Sequence, residues 1–414
     1  MNAEPLSARV LLACLHRHPE DTKIDLDTVD EVTWAEVVRL AAVQRVRPQL
    51  HQGLIASGRS RLVPPAAWNR LSSACQAVAF KNLAAYAQLS RLIGALQADN
   101  IPVLLLKGAH LAPEVYGNLA LREMLDFDVM VPLARIADAV TIAQGLDFVA
   151  PRPISVELDT SLRAHVTALR HPTALLELHW NLNRPGQPYS VTPEPFWERA
   201  QPVASVPGAL GLCPDDLLQH VCVHATLMHQ CEAGIRPYLD IAVLIERDHD
   251  TLHWPTIVEA ARQRGWSRGV ALALMLAADL VGADVKHEHI ASFGISDLTA
   301  AVPVARALAW TSLEETHQFT RGLSAVLSGR TWRERIDVVR ARVIPAEGPL
   351  GRPTGVGPRL RFAAMQATEL GKVLRKNAGA AVELAAGQSP RRSGLTNQRE
   401  LLRRWLSASA SQRD

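Results

Sequence analysis

Hydrophobic and polar positions follow three different rhythms along this chain. Up to about residue 95 the rhythm is helical. Trp34, Val37, Val38, Ala41 and Ala42 recur on one helix face, and Ala74 to Ile93 is an Ala/Leu-rich run with few breakers. Ile101 to Leu106 is then a short, unbroken apolar run behind Asp99–Asn100, which predicts a buried strand ended by Lys107–Gly108. Ala109 to Tyr116 predicts a helical turn or two before Gly117–Asn118. From Leu125 to Val131, Leu125, Phe127, Val129 and Val131 alternate with Asp126, Asp128 and Met130. That predicts a second strand with both aspartates on one face. Pro132 opens an amphipathic helix to about Leu146. His165–Arg170 and Thr173–Trp180, joined by His171–Pro172, predict a hairpin whose second arm turns Leu175, Glu177 and His179 away from Leu176, Leu178 and Trp180.

The proline-rich stretch from Pro185 to Pro207 reads as a linker or wrapped loop, and helices resume at Asp215–Asp216 and run to about Arg342. Pro345 to Pro358, with four glycines and four prolines, reads as a flexible joint. A helix, a Gly/Ser/Pro gap near Gly387–Gly394 and a short amphipathic helix around Arg399–Leu406 follow. No internal repeat is present. The predicted class is α+β, a small mixed β-sheet core flanked by helical N-terminal and C-terminal regions. The boundaries are a helical region 1–95, an α/β core 96–205, a helical domain 206–344 and a basic, partly flexible helical tail 345–414.

With 414 residues, 48% of them hydrophobic, the chain can bury a sizeable core. A formal net charge of +3 argues against strong global attraction to nucleic acid. The charge is uneven, however: from Arg321 onward there are about 18 basic and about 7 acidic residues, a solvated tail or a surface for an anionic partner. The five cysteines are scattered without CxxC spacing, which suits a reducing compartment. No secretory signal opens the chain, and the most apolar stretch, Val270 to Val285, is interrupted by Asp279 and shorter than the roughly 18 residues of a membrane span. A cytoplasmic protein with no membrane partner is expected.

Candidate chemistry centres on the acids. Two residues apart in a strand, Asp126 and Asp128 sit roughly 6–7 Å apart at the backbone. Charges about 5 Å apart repel by roughly 3 kcal/mol at an effective dielectric near 20. Such a pair persists if it is well solvated or if a cation lies between, and hard oxygen ligands suit Mg²⁺. Glu177 on a neighbouring strand would add a third carboxylate, the set that two-metal phosphoryl chemistry uses. Lys107 is a candidate point charge for a phosphate, or a lysine capping a strand end. Arg122 is a candidate fork onto departing pyrophosphate, or the partner of Glu123 or Asp126. His179 shares the face of Glu177 and would orient it, touch an acceptor or pack as a core histidine. On an ideal helix His220 and His224 are neighbours while His229 points away, which argues against a zinc site built with Cys222 and Cys231. Arg236 and Asp240, four apart, suggest a local ion pair.

The string LLLKGAHLAPEVYGNLALREMLDFDVMVP, followed by LLELHW and by LLQHVCVHATLMHQ…RPYLDIAVLI, resembles uncharacterised bacterial nucleotidyltransferases of the polymerase-β-like superfamily. The resemblance covers roughly residues 95–250. It implies two Mg²⁺ ions and a nucleoside triphosphate donor, with ATP the expected one. By position it implies that Gly108 lets the backbone approach phosphates, that Asp126 and Asp128 bind metal with Glu177 as third acid, and that His224 faces the nucleotide cleft. Two departures stand out: the usual Gly-Ser is Lys-Gly-Ala here, and Leu125 fills a place where members often carry a small polar residue. The expected function is transfer of a nucleoside monophosphate to a hydroxyl or phosphate of an unidentified acceptor, whether small molecule, protein or tRNA. The alternatives are a toxin-like tRNA-modifying enzyme and a non-catalytic nucleotide-binding scaffold.

Overall fold

The computed structural model describes residues 4–151, 153–310 and 390–408. The predicted joint at 345–358 and most of the basic stretch after Arg321 lie outside the described residues. Helices α1 (Leu6–Leu15), α2 (Glu31–Val43) and α3 (Arg47–Ala56) precede a 34-residue helix α4 (Pro65–Ala98). Asp30 caps α2 by accepting from the Thr33 amide, and proline at the first position opens α4. The far half of α4 buries Leu89, Leu92, Ile93 and Leu96 under the sheet. Asn100, in the left-handed region, then turns the chain into the first strand.

The sheet is mixed, with strand order β3-β4-β2-β1-β6-β5. Strands β1 (Leu104–Leu106) and β2 (Phe127–Met130) are antiparallel, and β2 runs parallel to β4 (Ala174–His179). Strand β3 (Leu169–His171) hairpins onto β4 across Pro172–Thr173, as the sequence predicts. Between β2 and β3 lie the expected helix α6 (Ile136–Gly145) and a short α7 (Val156–Leu162). Side-chain alternation gives the sheet two apolar faces with different partners. Val103, Leu105, Phe127, Val129, Leu176 and Leu178 pack with α4 and α6, while Leu104, Leu106 and Met130 face the helical C-terminal region.

The proline-rich linker reading is corrected. That stretch holds a short helix α8 (Glu194–Glu198) and strand β5 (Gln201–Pro202), which pairs with β6 (Leu210–Gly211) at the sheet edge beside β1. Two-residue strands carry no readable alternation, so only the pairing reveals them. Beyond the sheet come α9 (Pro214–Val223), α10 (Arg236–Asp248), α11 (Trp254–Gln263), α12 (Ser267–Val281), α13 (His287–Ala291) and α14 (Leu298–Ala309). The apolar run from Val270 is the core helix α12, closed by left-handed Gly282. No described helix is long and apolar enough to cross a membrane. The last helix, Pro390–Ser407, starts earlier than expected and takes in Gly394. It docks Leu402 and Leu406 into the core, pairs Arg399 with buried Glu232, and lays Trp405 under Arg268 at 4.7 Å.

Two core histidines make this fold acid-sensitive. His110 and His220 are buried with a ring nitrogen unpartnered, and burial lowers their pKa from 6.5 to about 4 and about 3. The unfolded chain therefore binds protons that the folded one refuses, and stability falls as pH drops below 6.5 towards those values. At pH 5 each histidine costs about 2 kcal/mol relative to neutral pH. Urea melts of the His110→Gln/His220→Gln variant should show a shallower loss between pH 7 and pH 5 than the parent; equal losses would exclude these two groups as the cause.

Candidate active site

Lys107, the first residue after β1, lies at φ +43°, a backbone region that side chains other than glycine rarely adopt. This sharp exit starts the short helix α5 (Lys107–His110), whose continuation Leu111–Val115 is wound as a π turn. It also brings the lysine ammonium onto the sheet face that carries the acids. Register does the rest: Asp128 stands opposite Leu106 on one side and Glu177 on the other, and Met130 stands opposite His179. Asp126, just ahead of β2, lines the same cavity.

Lys107 Nζ donates to Asp128 Oδ1 at 2.6 Å, and His179 Nε2 lies 2.9 Å from the same oxygen. His179 Nδ1 faces the Asn181 carbonyl at 3.3 Å, so both ring nitrogens have acceptors before them. Burial opposes charge on all three groups, but their mutual attraction outweighs it. Lys107 and His179 are held above their usual ranges and Asp128 well below its own. Glu177 is held low despite burial, chiefly by His179 at 3.6 Å, while His165 lies 3.7 Å from the same Glu177 oxygen. Asp126 behaves in the opposite way: burial and then the charges of Asp128 and Glu177 push its carboxyl up to about 6. It is the acid whose ionisation the crowding resists most.

Donor atoms of Asp128, Glu177 and His179 lie within 4.8 Å of one another, and this cluster can hold one metal ion. The expectation that three acids converge is thus modified. Two of them meet with a histidine, and Asp126 stands beside the group. The donor set fits a divalent cation through its carboxylates, with His179 bound to Asp128 as an orienting partner. His179 is the most central residue that the sequence left undecided; sharing a strand face with Glu177 was its only signal.

Arg122 pairs with neither Glu123 nor Asp126. Its guanidinium forks onto Asp240 of α10, Nε to Oδ1 at 2.9 Å and Nη2 to Oδ2 at 2.8 Å, and Tyr116 Oη adds a third bond at 2.9 Å. Arg236 donates instead to the Glu123 carbonyl at 2.9 Å, so the expected pair four apart on α10 is not made. Sequence spacing finds a partner one turn away, whereas this carboxylate is satisfied 118 residues back along the chain. A Cβ at Gly108 would collide with Arg122 Nη1. The glycine therefore admits a protein guanidinium, whose Nη1 is left over from the fork to Asp240.

The helix after α9 changes pitch at a π turn, His224–Met228. The His229 amide bonds the His224 carbonyl five residues back at 3.1 Å, so His229 comes round onto His224, and their Nε2 atoms lie 3.0 Å apart. A straight helix would have pointed His229 elsewhere, so the sequence geometry is corrected here. His220 does neighbour His224, at 6.3 Å between ring centres. Both His224 and His229 line the same cavity as the acids, a cleft of about 720 Å³ between sheet and helices, within the range of small-molecule sites. Exposed Leu125 also lines it, as do three arginines that the sequence gave no reason to single out, Arg45, Arg163 and Arg184, and Arg236, for which it suggested only a local ion pair. Arg163 and Arg184 sit in loops with no period to mark them.

The mixed sheet thus sets a cluster able to hold a metal ion into a cleft lined by five arginines. The chain belongs to the family described as uncharacterised nucleotidyltransferase, whose model matches residues 30–282. It is a transferase-type enzyme with a cluster able to bind metal. No curated protein and no solved structure matches the chain.

Proposed function

We propose that this enzyme moves a nucleoside monophosphate from a nucleoside triphosphate, ATP first among them, to a hydroxyl or phosphate of an acceptor. One observation carries the reading: Asp128 and Glu177 are paired across parallel strands at the wall of a cleft, with Asp126 beside them. Like charges gathered this way gain from divalent cations, and Asp126, Asp128 and Glu177 would hold two Mg²⁺. When bound, the ions supply Lewis-acid stabilisation of charge on the transferring phosphoryl group.

The chain's own groups do the remaining work. Lys107, anchored on Asp128, adds a positive point charge beside the acids for the triphosphate. Arg122 is held rigid by Asp240 and offers Nη1 over Gly108 to the same phosphates. His224 would face the nucleotide from the helical wall. Glu177 stays ionised and would take the proton of the attacking hydroxyl, held in place by His179 and His165, which flank it.

The test is release of pyrophosphate from ATP by the full chain in Mg²⁺. Release should vanish with chelator and with Asp126→Ala, a change that removes a carboxylate without stranding Lys107. Nucleotide bound without any Mg²⁺-dependent turnover, or turnover indifferent to Asp126, would sink the reading in favour of a scaffold.

A further inference from the structure

Two cations of the cleft are already matched by carboxylates: Lys107 with Asp128, Arg122 with Asp240. Four arginines are not matched by carboxylates among the described residues. They fall at two ends of the acid row. Arg236 bonds the Glu123 carbonyl, three residues before Asp126, and Arg45 follows Gln44, whose Oε1 accepts from the Ile235 amide beside Arg236. Arg163 lies at the opposite end, two residues before His165, which contacts Glu177. Arg184 lies at that end too: it follows Asn181 by three residues, the Asn181 amide meets the Ala164 carbonyl at 3.4 Å, and both arginines are half-buried at the cleft.

The second pair is held ready. The Arg163 carbonyl accepts from Trp180 Nε1 at 2.9 Å, and its amide donates to Asp159 O at 2.8 Å. The Arg184 carbonyl accepts from Ser190 Oγ at 2.6 Å, and neighbouring Asn183 ties its loop to Tyr189 and Val191. Two fixed backbones thus present two like charges to one cavity wall, an arrangement that costs free energy unless an anion lies between. Guanidinium forks match phosphate oxygens well.

We propose that Arg163 and Arg184 form a phosphate subsite for the acceptor, so that the second substrate is a small phosphorylated molecule rather than a neutral alcohol. This rests on the nucleotidyl-transfer reading for its name as acceptor site, but the anion site itself does not. The triphosphate belongs to the other end, with Lys107, Arg236 and Arg45, because the acid row separates the two arginine pairs. Glu177, which His165 contacts, is then the member of the metal-binding cluster on the side of the bound phosphate, where an attacking oxygen would arrive.

Calorimetry on the full chain, saturated with Mg²⁺ and a non-hydrolysable ATP analogue, should show inorganic phosphate binding at a second site. Arg163→Gln/Arg184→Gln should weaken phosphate about tenfold or more, as loss of charge-assisted bonds does. Affinity for the ATP analogue should stay within about twofold. Arg45→Gln/Arg236→Gln should give the converse. Phosphate affinity unchanged in the first variant overturns the subsite, and so does an equal loss of ATP-analogue affinity, which would assign these arginines to the triphosphate. If the parent binds no ATP analogue at all, the same phosphate titration is run without it. Binding that Arg163→Gln/Arg184→Gln removes would then keep the anion site while the nucleotidyl-transfer reading falls. Melting curves of each variant matching the parent exclude misfolding as the cause.

Discussion

Replacing Asp128 by asparagine lowers Mg²⁺-dependent pyrophosphate release by about 10³-fold, equivalent to roughly 4 kcal/mol of barrier. Asparagine keeps the shape of the side chain and its place opposite Glu177. It removes the charge on which Lys107 and His179 both depend at 2.6 and 2.9 Å. Two cations then face each other with only Glu177 and the neighbouring Asp126 to compensate them, and the cluster loses an anionic ligand. The loss should appear in both kcat and calorimetric metal affinity, with circular dichroism unchanged. Glu177→Gln should weaken metal binding less, because Lys107 stays compensated. Turnover of Asp128→Asn within tenfold of the parent would falsify the placement of the metal at this cluster.

The second large effect is on stability. Asp240→Ala should destabilise the fold by about 3–5 kcal/mol, since it leaves a buried guanidinium with no counter-charge and takes a partner from Tyr116. The bridge joins α10 to the loop before β2, and so joins the helical region to the sheet across the cleft. The double variant Arg122→Met/Asp240→Leu should recover much of the loss, because no charge is then stranded. Denaturant melts of the four species give the coupling directly. Additive losses would show that the two side chains act apart.

These two cases show what the chain's pattern makes legible. Period-two alternation around Asp126 and Asp128 placed β2 and its acids, and the hairpin fixed the face of Glu177, because strand geometry leaves little choice. Which residue of β4 stands opposite Asp128 is a matter of tertiary register that no local pattern encodes. The partner of Arg122 was hidden for the same reason: Asp240 lies far along the chain, and spacing arguments reach only one helical turn. The meeting of His224 with His229 was missed because a single π turn shifts every later side chain around the axis. Strands β5 and β6 escaped because two residues make no rhythm, and the turn that brings Lys107 onto Asp128 escaped because nothing in a lysine calls for a φ of +43°.

One consequence concerns the order in which the molecule is built. Glu232 lies in the bend that carries His229 and Arg236 to the cleft, and its mate Arg399 follows 167 positions later. During synthesis the reaction centre can assemble around β2 and β4 long before that mate emerges from the ribosome. The contact between Glu232 and Arg399 forms only once the final helix has docked, so this part of the helical wall is completed after the sheet.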